Sequence, residues 1–288
     1  MVSMNPDGYN RSIEEVGLNG GACYGYVGRY NKNRVDLNRN FPDYFTPNQD
    51  KREPETVAVM DWIARNPFIL CANLHGGALV ANYPYDNYAN ANVLPNYSAT
   101  KDDDVFRYLA RKFSFSHQNM FLGVPCSSNE QGFPKGITNG AAWYPVGGGM
   151  QDFSYIVGNC MELTLEIGCC KFPHDDEIER NWIANKDALI NYLMSVHMGV
   201  KGTVRDEETK RPIERALVSI ENRDHPRFTT EHGEFWRLLL PKTYTLQVNG
   251  QEMCRWMTTL SFRSLQTNTM QWRWSSLWEV QLQPLKFG

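Results

Sequence analysis

The feature that most constrains the fold is a change of hydrophobic periodicity near residue 198. Before it, helix-spaced apolar residues alternate with short unbroken apolar runs. Val57, Met60 and Ile63 recur at helical spacing within 53–66, where Pro54 suits a first turn. Val105, Tyr108, Leu109 and Phe113 share one face over 102–116, and Ile178, Trp182, Leu189 and Leu193 are placed toward the core over 175–197. Residues 68–74 and 161–167 read as buried strands. Helices alternating with buried strands predict an α/β domain with a mixed sheet over 1–197. After the change, short strands at 200–204, 216–220, 235–240 and 244–248 are separated by turns. They predict a small β-sandwich over 198–250. Residues 251–288 form an atypical tail with four of the eight tryptophans and no histidine or tyrosine. Two readings of it stand side by side: an irregular strand pair completing the sandwich, or a tail foreign to the fold.

Composition excludes several classes. Hydrophobic residues make up 42% and charged residues 21% of the 288, and the net charge is -3. No basic excess points to nucleic acid or to an anionic membrane surface. No run approaches the roughly 20 apolar residues of a membrane helix. The chain opens on the turn sequence Asn5-Pro6-Asp7-Gly8, without a signal peptide, and is expected to begin inside a domain. Seven cysteines are an odd number, so they cannot all pair internally. Asn10-Arg11-Ser12 and Asn96-Tyr97-Ser98 are glycosylation sequons.

A few clusters could carry chemistry. His75 ends an apolar run and precedes Gly76-Gly77, where backbone can approach closely. It reads as a structural histidine or as a metal ligand. In 36–42, Asn38 beside Arg39 could grip a carboxylate through the guanidinium fork, or simply hold a loop. Glu162, Thr164 and Glu166 share one strand face, opposite Leu163, Leu165 and Ile167. Two carboxylates on such a face are costly unless used, paired or solvated. His174 and Glu177 have zinc-ligand spacing, but acids after Pro173 fit an ordinary helix start.

Taken in order, the motifs resemble the zinc metallocarboxypeptidases of the regulatory branch. The resemblance rests on Ser3-Met4-Asn5-Pro6-Asp7-Gly8-Tyr9, Gly28-Arg29, Val35-Asp36-Leu37-Asn38-Arg39-Asn40-Phe41-Pro42-Asp43 and Asn73-Leu74-His75-Gly76-Gly77-Ala78. It continues through Gly136-Ile137-Thr138-Asn139-Gly140-Ala141, Gly148-Gly149-Met150-Gln151-Asp152 and Glu162-Leu163-Thr164-Leu165-Glu166. It implies a catalytic α/β domain followed by a transthyretin-like β-sandwich, and removal of C-terminal Lys or Arg from peptides and proteins.

The resemblance also implies roles. His75 is a Zn2+ ligand. Glu166 is the general base and then the acid, and Arg29 stabilises the developing oxyanion. Asn38 and Arg39 hold the substrate's terminal carboxylate, and Tyr144 closes over the bound residue. Asp86 and Gln151 line the specificity pocket, where an acid suits a cationic side chain. Glu162 is left to a supporting role. Cys126 is expected to pair with Cys169 or Cys170, and the setting is extracellular or secretory.

One departure stands against these roles. The family's first two zinc ligands come from an H-x-x-E motif upstream of the Asn-Pro-Asp-Gly turn, and catalytic zinc takes about three protein ligands. Zinc binding is therefore expected to be weakened or lost in this chain. Two alternatives follow: a non-catalytic module that binds basic C-termini, or an inactive fragment.

Overall fold

The computed structural model describes residues 3–19, 23, 25–89, 95–206, 209–223, 225–249, 255–261 and 278–281. It divides into two units, Met1–Met194 and Ser195–Gly288. In the first unit the elements run α1 (Pro6–Asn19), α2 (Pro54–Arg65), β1 (Leu70–His75), β2 (Ala78–Tyr83), α3 (Asp103–Ser116), β3 (Ile137–Asn139), α4 (Gly140–Trp143), α5 (Met150–Ile156), β4 (Met161–Gly168) and α6 (Asp175–Leu193). The four strands form one sheet in the order β1-β4-β2-β3. β1 and β4 are parallel, β4 and β2 antiparallel, and β2 and β3 parallel. The mixed α/β fold class is as the periodicity predicts.

The opening turn sequence starts a helix. Asn5 Oδ1 accepts the Gly8 backbone N–H at 2.9 Å, and Asn5 Nδ2 donates to the Gly28 carbonyl at 3.1 Å. One amide thus caps α1 and anchors the segment that carries Arg29. On α3, Val105, Phe106, Leu109, Ala110 and Phe113 are wholly buried, each large side chain contributing about 1.5–3 kcal/mol relative to exposure. Tyr108, expected on that face, lies half-exposed at its margin.

Three other expectations need correction. On α2 the buried face is Thr56, Val59 and Ile63, and Val57 is exposed. Val59 and Ile63, four residues apart, pack against Phe41 and Phe153, which turns Val57 outward. β1 is not a fully buried strand. It lies at the sheet edge, paired among the described strands only with β4, and Leu74 is exposed. α6 reverses the expected orientation, because Ile178, Trp182 and Leu193 are exposed and Leu189 is only half-buried. Its inner face is Asn185, Ala188 and Tyr192. Asn185 Nδ2 donates to the Ile167 carbonyl at 3.0 Å, and Tyr192 Oη donates to the Cys71 carbonyl at 2.6 Å. Hydrogen bonds to strand carbonyls select that face, and an apolar count along the helix does not register them.

The second unit holds β5 (Val200–Thr203), β6 (Leu217–Ile220), β7 (Arg227–Phe228), β8 (Glu234–Arg237), β9 (Thr243–Asn249), β10 (Arg255–Ser261) and β11 (Trp278–Gln281). They form two sheets, β10-β9-β6-β7 and β11-β5-β8. Val200 and Phe235 from one sheet share a core with Val218, Leu246 and Val248 from the other, the layering of a β-sandwich. Within the tail, β10 pairs antiparallel with β9 and β11 parallel with β5. The remaining tail residues lie outside the described residues.

Candidate active site

Parallel pairing of β1 with β4 sets His75 directly opposite Glu166. His75 Nδ1 lies 3.8 Å from Glu166 Oε1. Burial, helped by the nearby Arg29 charge, lowers the His75 pKa to about 4, so the imidazole is neutral at pH 7. Burial raises Glu166 to about 7, opposed by Lys171 and Arg29. Glu166 Oε2 is buried without a hydrogen-bond partner among the described residues. A neutral imidazole and a half-satisfied carboxylate thus stand side by side at the strand ends. Glycine is required just beyond them: Gly77 turns the chain from β1 into β2 at φ +117° and donates its N–H to the Gly168 carbonyl at 2.8 Å.

Arg29 reaches the same place from the α1 side. Its Nε and Nη2 meet Asp36 Oδ2 at 2.9 and 2.8 Å. Asp36 Oδ1 accepts the Asn38 backbone N–H at 3.0 Å and so caps a short 3-10 turn over Leu37–Arg39. One carboxylate therefore sets both Arg29 and the Asn38–Arg39 pair. Asn38 Oδ1 accepts the Met150 backbone N–H at 2.9 Å, and Arg39 Nη1 donates to the Asn38 carbonyl at 2.8 Å.

Asp86 is buried after β2. Its Oδ1 accepts from Asn82 Nδ2 and from Gln151 Nε2, each at 2.9 Å. Burial raises its pKa to about 6, with the Asn82 hydrogen bond opposing. A Cβ on Gly140 would lie 1.7 Å from Asp86 Oδ1, so only glycine fits there. Gln151 sits behind Asp86, and its Oε1 accepts the Thr164 backbone N–H at 2.6 Å. It braces Asp86 and does not itself face the cavity. Tyr144, at the C-terminal end of α4, is partly exposed at the cavity rim.

A cavity of about 150 Å3 joins these groups: Arg29, Asn38, Arg39, His75, Asp86, Tyr144 and Glu166 all line it. Asn82 and Lys171 line it too, and sequence reasoning missed both. Asn82 carries no motif signal. Lys171 reaches the cavity because disulfides Cys23–Cys170 and Cys126–Cys169 hold the segment after β4. The expected Cys126 bond is thus made to Cys169, and a third bond joins Cys71 to Cys160. Cys254 lies outside the described residues. His174 and Glu177 are away from the cavity, where Glu177 accepts the His174 backbone N–H at the start of α6.

The donor set fits one corner of a zinc site. His75 suits a zinc ligand, being neutral and cavity-facing. Among the described residues, however, no group of three His, Cys, Asp or Glu side chains is gathered to hold a metal.

Known proteins resemble this chain over most of its length. A family described as zinc carboxypeptidase matches residues 1–188, and a carboxypeptidase regulatory-like domain matches 199–273. The chain is 47% identical over 254 residues to carboxypeptidase D of Rattus norvegicus, covering 87% of this chain and 18% of that protein. It is 44% identical over 264 residues to carboxypeptidase M of Mus musculus, covering 91% and 58% respectively. It is 44% identical over 274 residues to the carboxypeptidase N catalytic chain of Homo sapiens, covering 87% and 58%. The chain therefore spans between about a fifth and three-fifths of the length of these relatives. With the family matched over residues 1–188 and the regulatory-like domain following it, this chain belongs to the zinc carboxypeptidase family.

Proposed function

We propose that the site serves zinc-dependent removal of C-terminal Lys or Arg from peptides and proteins. The observation that carries this reading is a buried acid, Asp86, in the same cavity as Arg39 and the His75–Glu166 pair. Asn38 has its amide oxygen occupied by the Met150 N–H, which leaves Nδ2 to join Arg39 in binding the terminal carboxylate. The cationic side chain then meets Asp86, whose Oδ2 accepts from no described group. Tyr144 covers the bound residue.

When bound, zinc would supply Lewis-acid polarisation at His75. Glu166 takes a proton from the attacking water as the water oxygen bonds to the scissile carbonyl carbon. Arg29, held by Asp36, stabilises the negative charge on the carbonyl oxygen. Glu166 then returns the proton to the leaving nitrogen as the C–N bond breaks.

Catalytic zinc takes about three protein ligands. His75 is the family ligand identified in these 288 residues, so we propose that they alone hold zinc weakly and turn over slowly. The second reading, a module that binds basic C-termini without catalysis, is favoured by Asn38, Arg39 and Asp86, none of which needs a metal. Zinc analysis of the purified, dialysed chain tests the binding-only reading. Sub-stoichiometric zinc is expected, and near-stoichiometric, tightly held zinc would refute the binding-only reading. The family and its relatives support an extracellular or secretory setting. Among the described residues no helix is long and apolar enough to cross a membrane.

A further inference from the structure

Asp152 is a buried carboxylate that the chemistry above leaves without a role. It is 4% exposed, in the first turn of α5. No Lys or Arg pairs with it among the described residues. Burial, with the neighbouring Asp86 charge adding to it, raises its pKa well above the usual carboxylate range, so the site is a costly one for an acid and a dipole contribution at a helix start does not account for it. Its two oxygens instead meet backbone: the Asp86 N–H lies 3.0 Å from both Oδ1 and Oδ2, and the Asn87 backbone N–H bonds the same carboxyl group.

The neighbouring residue of α5 holds the other end of Asp86. Gln151 Nε2 donates to Asp86 Oδ1, and Gln151 Oε1 is locked to β4 through the Thr164 N–H. Two successive residues of one helix therefore grip Asp86 by its backbone and by its side chain. The Asp86 carbonyl is also used, accepting the Val146 N–H at 2.7 Å. With Oδ1 taken by Asn82 and Gln151, Oδ2 is the oxygen left for a ligand.

We propose that Asp152 is a positioning residue for recognition of basic side chains, fixing the backbone at Asp86 so that Oδ2 is presented to the ligand's cation. The proposal rests on the reading of Asp86 as the acid of the specificity pocket. A change at Asp152 then acts on selectivity and leaves binding of the terminal carboxylate at Asn38 and Arg39 intact.

The test is calorimetric binding of two N-acylated tripeptides, identical except for C-terminal Arg or Phe, to the full chain. The unsubstituted chain is expected to prefer Arg by at least about tenfold, the equivalent of one charge-assisted hydrogen bond. Asp152→Asn leaves one acceptor oxygen for the Asp86 and Asn87 N–H groups and turns an NH2 donor toward the other. It should cut that preference by about tenfold while leaving Phe-peptide affinity unchanged. Combined with Asp86→Asn it should add nothing further, because both changes act on one contact. Should Asp152→Asn fail to fold, Asp152→Ser, which keeps one short acceptor, carries the same comparison. An Arg preference retained within about twofold overturns the positioning role alone, as does equal weakening of both peptides. No preference in the unsubstituted chain overturns the reading of Asp86, and the role of Asp152 with it.

Discussion

His75 and Glu166 are register partners across the only parallel pair that β4 makes among the described strands, with Nδ1 and Oε1 3.8 Å apart. Their residue types are unremarkable for strand ends. The pairing matters because burial keeps one neutral and leaves an oxygen of the other without a hydrogen bond. A base needs an unsatisfied oxygen, and a metal ligand needs an unprotonated nitrogen.

Glu166→Gln removes the proton acceptor and keeps the shape. In a version extended with the family's upstream H-x-x-E segment, zinc content should stay normal. Turnover should fall by on the order of a hundred- to ten-thousand-fold. Metal analysis beside steady-state rates checks this. Normal rates in Glu166→Gln with loss in Glu162→Gln would reverse the assignment.

Glu162 is expected to govern stability. It is fully buried, and Ser154 is the one side chain that favours its charged form. Burial raises its pKa from the usual 4.5 to about 8. Between those values the folded state holds a proton that the unfolded state has released. Its contribution is therefore complete below about pH 4.5 and is lost as pH rises through about 8. Glu162→Gln should raise the melting temperature at pH 8.5 and flatten its pH dependence, with a gain on the order of a few kcal/mol. Denaturant melts of both proteins across that range provide the check.

Asp86 should make affinity for basic C-termini depend on pH. Its pKa is raised to about 6 by burial. Only the ionised form attracts a cation, so affinity for an Arg-ending peptide should weaken about tenfold per pH unit below that value. Affinity for a Phe-ending peptide should not follow this course. Titrations of both peptides between pH 5 and pH 8 would reveal parallel curves if the assignment is wrong.

Gly140→Ala should injure the same pocket. The added Cβ would lie 1.7 Å from Asp86 Oδ1, too close for any accommodation without moving Asp86. The expected result is about 1–3 kcal/mol of lost stability together with a weakened Arg preference. A variant with unchanged melting and unchanged selectivity would show that Asp86 is free to move aside.

The mixed α/β layering and the following sandwich were legible because burial imposes periods of 3.6 and 2 on the sequence. What periodicity could not supply was the orientation of α6, where Tyr192 and Asn185 turn inward to meet strand carbonyls and leave Trp182 outside. His75, Glu166, Arg29, Asn38 and Arg39 stood out in local motifs. Lys171 and Asn82 did not, because each reaches the cavity only through a tertiary arrangement: two disulfides for one, and the hydrogen bond to Asp86 for the other. Gln151 stood out in its motif, but its place behind Asp86 depends on the docking of α5 against β4.

The most direct test of the central claim is mass spectrometry of two matched peptides, ending in Arg and in Phe, incubated with zinc and the chain extended by the H-x-x-E segment. The account predicts loss of the terminal Arg and an intact Phe peptide, with the 288-residue chain alone slow on both. Equal rates of release from the two peptides, or no release of Arg by a zinc-loaded extended chain, would contradict it.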